Sequence, residues 1–392
     1  NRNLLLTVLI TGTIATQSFA ATPDNPVVVG AVYAMTNDTE ANAIVAFDRY
    51  DDGTLTPNGT YPTDGQGGYA GDPADALGSE SPLVLNEDKS RLYAVNAGSD
   101  SISVFKVLPE GLELMQTIGS RGSFPVSIAL YQDLLYVLDS GGDGRIVGFH
   151  VGPSGKLTPI PGSTRNLTAG GTNPPFFVDS PAQVTFDPSG HWLVVTLKAL
   201  NEIRLYAVDE EGLPASEPVI NASNGSTPFG FSFDASGHLI VAEAFGPAAP
   251  GTGNAGAASS YAIEADGTLT TLSATVENDQ TATCWMVSGP RGRFAYATNN
   301  VSNTITGYRV GNQGHLTLLD PDGVTAALEN EDPRSRPVDM GVTPDGHFLY
   351  NLNAGRGTVT AFAIDSSNGK LTSIGEVDGL PEDNGAVGLA AR

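Results

Sequence analysis

The sequence predicts an all-β fold: a seven-bladed β-propeller of four-stranded antiparallel blades, its ring closed by the C-terminal strand joining the N-terminal blade. Three observations predict it. One strand phrase returns seven times, two kinds of glycine turn recur around it, and no stretch carries a helical period.

The phrase is an apolar strand, a tight turn, a strand ending near Tyr, a polar Asn/Gly loop and a strand ending in Phe or Tyr. Its clearest copies are Arg91-Leu92-Tyr93-Ala94-Val95-Asn96-Ala97-Gly98 leading to Val104-Phe105, and Phe348-Leu349-Tyr350-Asn351-Leu352-Asn353-Ala354-Gly355 leading to Ala361-Phe362. Other copies centre on Tyr33, Tyr136, Val194, Val241 and Tyr296, at spacings of about 43 to 60 residues, which fits a propeller blade with loop insertions. One turn recurs as Asp187-Pro188-Ser189-Gly190, Asp234-Ala235-Ser236-Gly237 and Thr343-Pro344-Asp345-Gly346. A second recurs as Asp52-Gly53-Thr54-Leu55, Ser154-Gly155-Lys156-Leu157, Asp266-Gly267-Thr268-Leu269 and Asn368-Gly369-Lys370-Leu371. Glycine gives such turns their positive φ, so each blade reads as two hairpins. Gly385-Ala386-Val387-Gly388-Leu389-Ala390 reads as a lone first strand, and the copy around Tyr33 lacks one before it. Joining the two closes the ring and removes both sheet edges.

Residues 1–20 read as a secretory leader, from Arg2 through the apolar run Leu4-Leu5-Leu6-Thr7-Val8-Leu9-Ile10 to Ser18-Phe19-Ala20, leaving 21–392 as one propeller domain. No later segment approaches the roughly 20 apolar residues of a membrane span, so a secreted or periplasmic protein is expected. The single cysteine, Cys284, rules out an intrachain disulfide. A net charge of −24 disfavours nucleic acid and anionic membranes as partners and favours solubility. A monomer is expected, with no cofactor and no metal ligand set.

With strands named A to D outward from the axis, A–B and C–D turns share one face, and B–C loops and D–A crossovers share the other. The second face carries the long segments: 68–81, 166–180, 243–259, 277–284 and 329–337. Long loops over a rigid scaffold build binding sites, so a cup is expected there, above the central channel. His150, His191, His238, His315 and His347 all fall at the opposite, short-turn face. Loop-face candidates are Lys198, Glu243, Arg121, Arg334 and Arg336, with Asp139, Asp179 and Asp332. A cation beside a glutamate could polarise a carbonyl and activate water. Asn96, Asp139, Asn299 and Asn353 end equivalent B strands, either as loop-forming residues or as a polar ring for a ligand. Cys284 and Trp285 enter an A strand, as a buried pair or with the Trp285 indole reaching a ligand.

On Arg91-Leu92-Tyr93-Ala94-Val95-Asn96, Ser103-Val104-Phe105, Phe294-Ala295-Tyr296-Ala297-Thr298-Asn299-Asn300 and Thr304-Ile305-Thr306-Gly307-Tyr308, the sequence resembles the seven-bladed propeller lactonase family. That family includes 6-phosphogluconolactonase-like enzymes and fungal carboxymuconate cyclases. The resemblance implies a His entering a middle blade, an Asp-Leu-Gly after its second strand, and an Arg and a Glu in the next blade. Those places fall here on Ser180 and Ala182, on Leu197-Lys198-Ala199, on Phe229 and on Phe245, with Glu243 two residues from the last. The family's acid–base groups are therefore replaced. One reading is an exported lactonase-like hydrolase or cyclase for a small acidic or sugar-derived lactone, with Glu243 as base and Lys198 or Arg336 holding the carboxylate or oxyanion. The alternative is a non-catalytic secreted binding propeller for a glycan, small molecule or protein. A third is a metal-dependent hydrolase using the Asn/Asp ring.

Overall fold

The computed structural model describes residues 26–72, 75–246 and 255–392, and the leader expected at 1–20 lies outside them. Seven antiparallel sheets surround one axis. Blade 1 holds B, C and D strands Val28–Met35, Ala43–Tyr50 and Leu55–Pro62. Its A strand is the C-terminal Val387–Ala391, which pairs Val32 with Ala391, Tyr33 with Ala390 and Ala34 with Leu389. The ring thus closes as the sequence predicts.

The A strands of blades 2 to 7 are Leu83–Leu85, Pro125–Tyr131, Pro181–Phe186, Ser226–Phe233, Thr283–Ser288 and Pro337–Val342. Their B strands are Arg91–Asn96, Leu134–Asp139, Trp192–Leu197, Leu239–Gly246, Phe294–Asn299 and Phe348–Asn353. Each is centred where the repeat places it. Both faces of every sheet are covered by neighbouring blades, so the B strands are buried almost throughout and read as apolar runs instead of alternating ones.

Two of the repeated motifs bond to each other. Tyr136, Tyr296 and Tyr350 of the B strands donate their hydroxyls to the carbonyls of Gly212, Gly369 and Gly53, at 2.5, 2.9 and 2.9 Å. Each acceptor is the C–D turn glycine of the next blade, at φ of 77°, 83° and 85°. Tyrosine and turn recur together because one rivets the other across a blade boundary.

The entry to strand A also recurs. Ser81, Phe124, Thr227, Ala282 and Arg336 adopt left-handed backbone there, with φ between 48° and 63°. In blades 3 to 7 the A–B ladder loses register at the same level. Such bulges bend the strand and re-aim its first side chains, here around the mouth of the channel. No helix among the described residues is long and apolar enough to cross a membrane.

Candidate functional site

The central channel is blocked midway by the crossover from blade 1 to blade 2. Ser79 Oγ donates to Val126 O in blade 3 at 2.8 Å, and Glu80 N donates to Ala182 O in blade 4 at 3.1 Å. From blade 6, Trp285 Nε1 donates to Ser79 O at 2.8 Å and Met286 N to Glu80 Oε2 at 3.0 Å. Lys198, just past the blade 4 B strand, donates Nζ to Gly78 O. A four-residue segment bonded to blades on opposite sides of the ring lies across its axis. Residues 78–81 are a plug.

Beneath the plug, toward the short-turn face, is a cavity of about 420 Å³ lined by Glu80, Gln183, Phe231, Met286 and Asp339. Asp339 Oδ2 accepts the amide of Gly388 in the closing strand at 2.7 Å. Burial pushes the carboxyls of both Glu80 and Asp339 up, Asp339 to about 7, with the Asp339 charge adding to the rise at Glu80 and the Asp75 charge to that at Asp339.

Above the plug, on the long-loop face, is a cup of about 460 Å³. Its walls are Phe177, Phe229, Ala244, Phe245, Ala282 and Val301, and its polar lining is Asp72, Asp75, Thr227, Thr281, Cys284, Asn300 and Arg336. Thr227, Ala282 and Arg336 are three of the left-handed strand-A entries, so the blade repeat itself presents them to the mouth.

The floor is an acid and an amine, both buried. Asp75 accepts the Gly78 amide on Oδ1 at 2.9 Å. Burial raises its carboxyl to about 6, against the opposing pull of the Lys198 charge. Burial likewise lowers the Lys198 ammonium to about 8, opposed by Asp75. The amine sits 4.7 Å from the Phe229 ring centroid, a cation–π contact that partly replaces its lost water. Arg336 reaches Asp72 Oδ2 at 2.9 Å and donates Nε to Asn300 Oδ1 at 2.9 Å. The Cys284 thiol is pushed well up by burial, which keeps it protonated and unreactive as a nucleophile.

Of the residues singled out from sequence, the structure brings Lys198 and Arg336 to this one site. Glu243 lies elsewhere. It pairs with Ala257 across blade 5, the register position that Asn96, Asn299 and Asn353 hold in blades 2, 6 and 7. Its Oε1 accepts the Gly225 amide at 2.8 Å, fixing the crossover into its own blade, and burial raises its carboxyl. The three asparagines are turned into their sheets. Asn96 donates to Ser101 and Ser103, Asn299 to Thr304 and Thr306, and Asn353 to Thr358 and Thr360, each clamping two hydroxyls of strand C. Asp139 holds the same register opposite Arg145, where strand C offers no such hydroxyl pair, and burial raises it to about 7. Arg121 is exposed on the crossover between blades 2 and 3. Trp285 is fully buried, anchoring the plug and packing on Phe229 at 5.0 Å between centroids.

Asp72 and Asp75 are the site residues that sequence reasoning misses. The segment 68–81 stands out by length, and its acids by spacing alone look like solvated loop charges. Among the described residues, no three His, Cys, Asp or Glu side chains are grouped to hold a metal.

Residues 30–169 and 259–382 match the family described as "Lactonase, 7-bladed beta-propeller". A 6-phosphogluconolactonase of Serratia proteamaculans is 22% identical over 310 residues, covering 76% of this chain and 85% of that protein. Among solved structures, the periplasmic gluconolactonase of Pseudomonas aeruginosa superposes with a TM-score of 0.70 at 17% identity, covering 92% of this chain and 98% of that one. A Lactobacillus plantarum protein superposes with a TM-score of 0.69 at 19% identity, covering 93% of this chain and all of that one. These two likenesses concern the fold.

Proposed function

This chain belongs to the seven-bladed β-propeller lactonase family, and from that premise we propose that it is an exported, monomeric lactone hydrolase whose reaction takes place in the loop-face cup. The observation that carries the reading is the buried Asp75–Lys198 pair at the cup floor, whose acid is raised and whose amine is lowered until the two bracket neutrality.

In this mechanism Asp75 takes a proton from a water molecule as the water oxygen bonds to the lactone carbonyl carbon. The carbonyl electron pair moves onto its oxygen, which accepts a hydrogen bond from the Arg336 guanidinium. Collapse breaks the bond between that carbon and the ring oxygen. The proton on Asp75 passes to the departing ring oxygen, so one lactone and one water give one hydroxy acid. Lys198 acts through charge from behind Asp75, favouring its ionised form and the developing oxyanion. The same steps in reverse close a lactone.

The pH profile tests this. Enzymatic kcat/KM, after subtraction of spontaneous hydrolysis, should rise as Asp75 ionises near 6 and fall as Lys198 loses its charge near 8. A rate that simply tracks hydroxide through this window would refute the acid–base assignment. Export predicts that N-terminal sequencing of the mature protein begins at Ala21, and retention of the leader in the mature protein would contradict it.

A further inference from the structure

We infer that the cup selects lactones with an apolar, uncharged body and discriminates against phosphorylated sugar lactones. The inference rests on the hydrolase reading for the position of the reacting carbonyl, and on three separate observations for the body attached to it.

The first is the walls. Phe177, Phe229 and Phe245 with Ala244, Ala282 and Val301 present carbon surface around a space of about 460 Å³. A polyhydroxylated ring lying against these walls would lose water from the hydroxyls that face carbon, at a cost for each one left unpaired. An apolar body instead buries its surface there and leaves the Asp75 and Arg336 side of the cup to the reacting carbonyl.

The second is that the cations near the cup are already matched by acids or acceptors. Arg336 is paired with Asp72 and bonded to Asn300. Lys198 is buried behind Asp75 and donates to Gly78 O. Arg334, at the rim, donates to Val301 O and to Asn330 Oδ1. A phosphate dianion would have to displace one of these carboxylates or enter with its charge unmatched. The sequence at 73–74 and 247–254 contains no ionisable side chain, so these internal segments supply no further cation.

The third is long-range. A chain of net charge −24 repels a dianion on approach, whereas an uncharged lactone feels no such penalty.

Two readouts on the purified full chain separate the inference from the reading beneath it. Turnover is compared for a phenyl- or alkyl-substituted δ-lactone, glucono-δ-lactone and 6-phosphoglucono-δ-lactone. Binding is compared for the corresponding δ-lactams, which keep the ring and carbonyl but resist opening. The expected result is kcat/KM about 100-fold higher for the apolar lactone than for the phosphorylated one, with lactam affinities in the same order. Phe229→Leu and Phe245→Leu, which keep the cup apolar but change its shape, should weaken the phenyl lactam more than the glucono-lactam. Equal or tighter binding of the phosphorylated lactam overturns the inference. If no lactone is opened while the apolar lactam still binds preferentially, the hydrolase reading fails and the selectivity stands.

Discussion

Asp75→Asn should lower kcat/KM for lactone opening by about 10³, because among the described residues Asp75 is the carboxylate at the cup floor beside Lys198, placed to take a proton from water. The substitution is a fair test because Asn keeps the shape and can still accept the Gly78 amide through its carbonyl oxygen. It does, however, strip Lys198 of its counter-charge. With the attraction gone, burial drives the ammonium further down and the amine becomes neutral more readily. Lys198→Met should therefore restore any stability that Asp75→Asn loses without restoring turnover. Full activity in Asp75→Asn, with urea unfolding showing an intact fold, would remove Asp75 from the mechanism.

Trp285→Ala should cost about 3 to 5 kcal/mol of stability, measured as a fall in the urea midpoint at constant slope. The indole is fully buried, packs on Phe229 and holds the plug through the carbonyl of Ser79. Removing it leaves a void where the cup and the lower cavity are separated, and orphans a buried carbonyl. Trp285→Phe keeps most of the packing and loses the hydrogen bond, so about 1 to 3 kcal/mol is expected. Equal losses in the two variants would show that the hydrogen bond to the plug, and not the filling of the channel, dominates. With only two tryptophans in the chain, Trp192 and Trp285, the emission change on unfolding of Trp285→Phe reports Trp192 alone.

The fold was legible in the sequence because a propeller repeats its local physics. The B-strand Tyr and the C–D turn glycine recur, and each of the seven predicted centres lies in a B strand. The closing strand was legible because Gly385 to Ala390 had the pattern of an A strand with no B strand after it. The site was legible only in part. Lys198 and Arg336 were marked by being cations on the long-loop face. Glu243 stood out as a carboxylate on that same face, yet it occupies the clamp position that asparagine takes in three other blades, and its partners lie in its own blade and in the crossover that leads into it. Asp75 and the plug were out of reach for a different reason. Ser79 meets Trp285 at a separation of 206 residues, and nothing local in 68–81 shows that the crossover turns inward to the axis and not outward to solvent. Side-chain roles set by contacts of that range leave no periodic trace in sequence.

The closing strand has a consequence for how the ring fails. Val387–Ala391 is only five residues long, and by itself so short a segment would hold to an edge strand weakly. It does not act by itself. Six stacked blades hold it beside Val28–Met35, so association is intramolecular and proceeds at an effective concentration of about millimolar or above. The seam is thus a latch whose hold combines that proximity with its own bonds, to Val28–Met35 on one side and to Asp339 of blade 7 on the other, so spreading of the blades weakens both. The protein's lifetime as a closed ring is set by how rarely that latch and its neighbours open together.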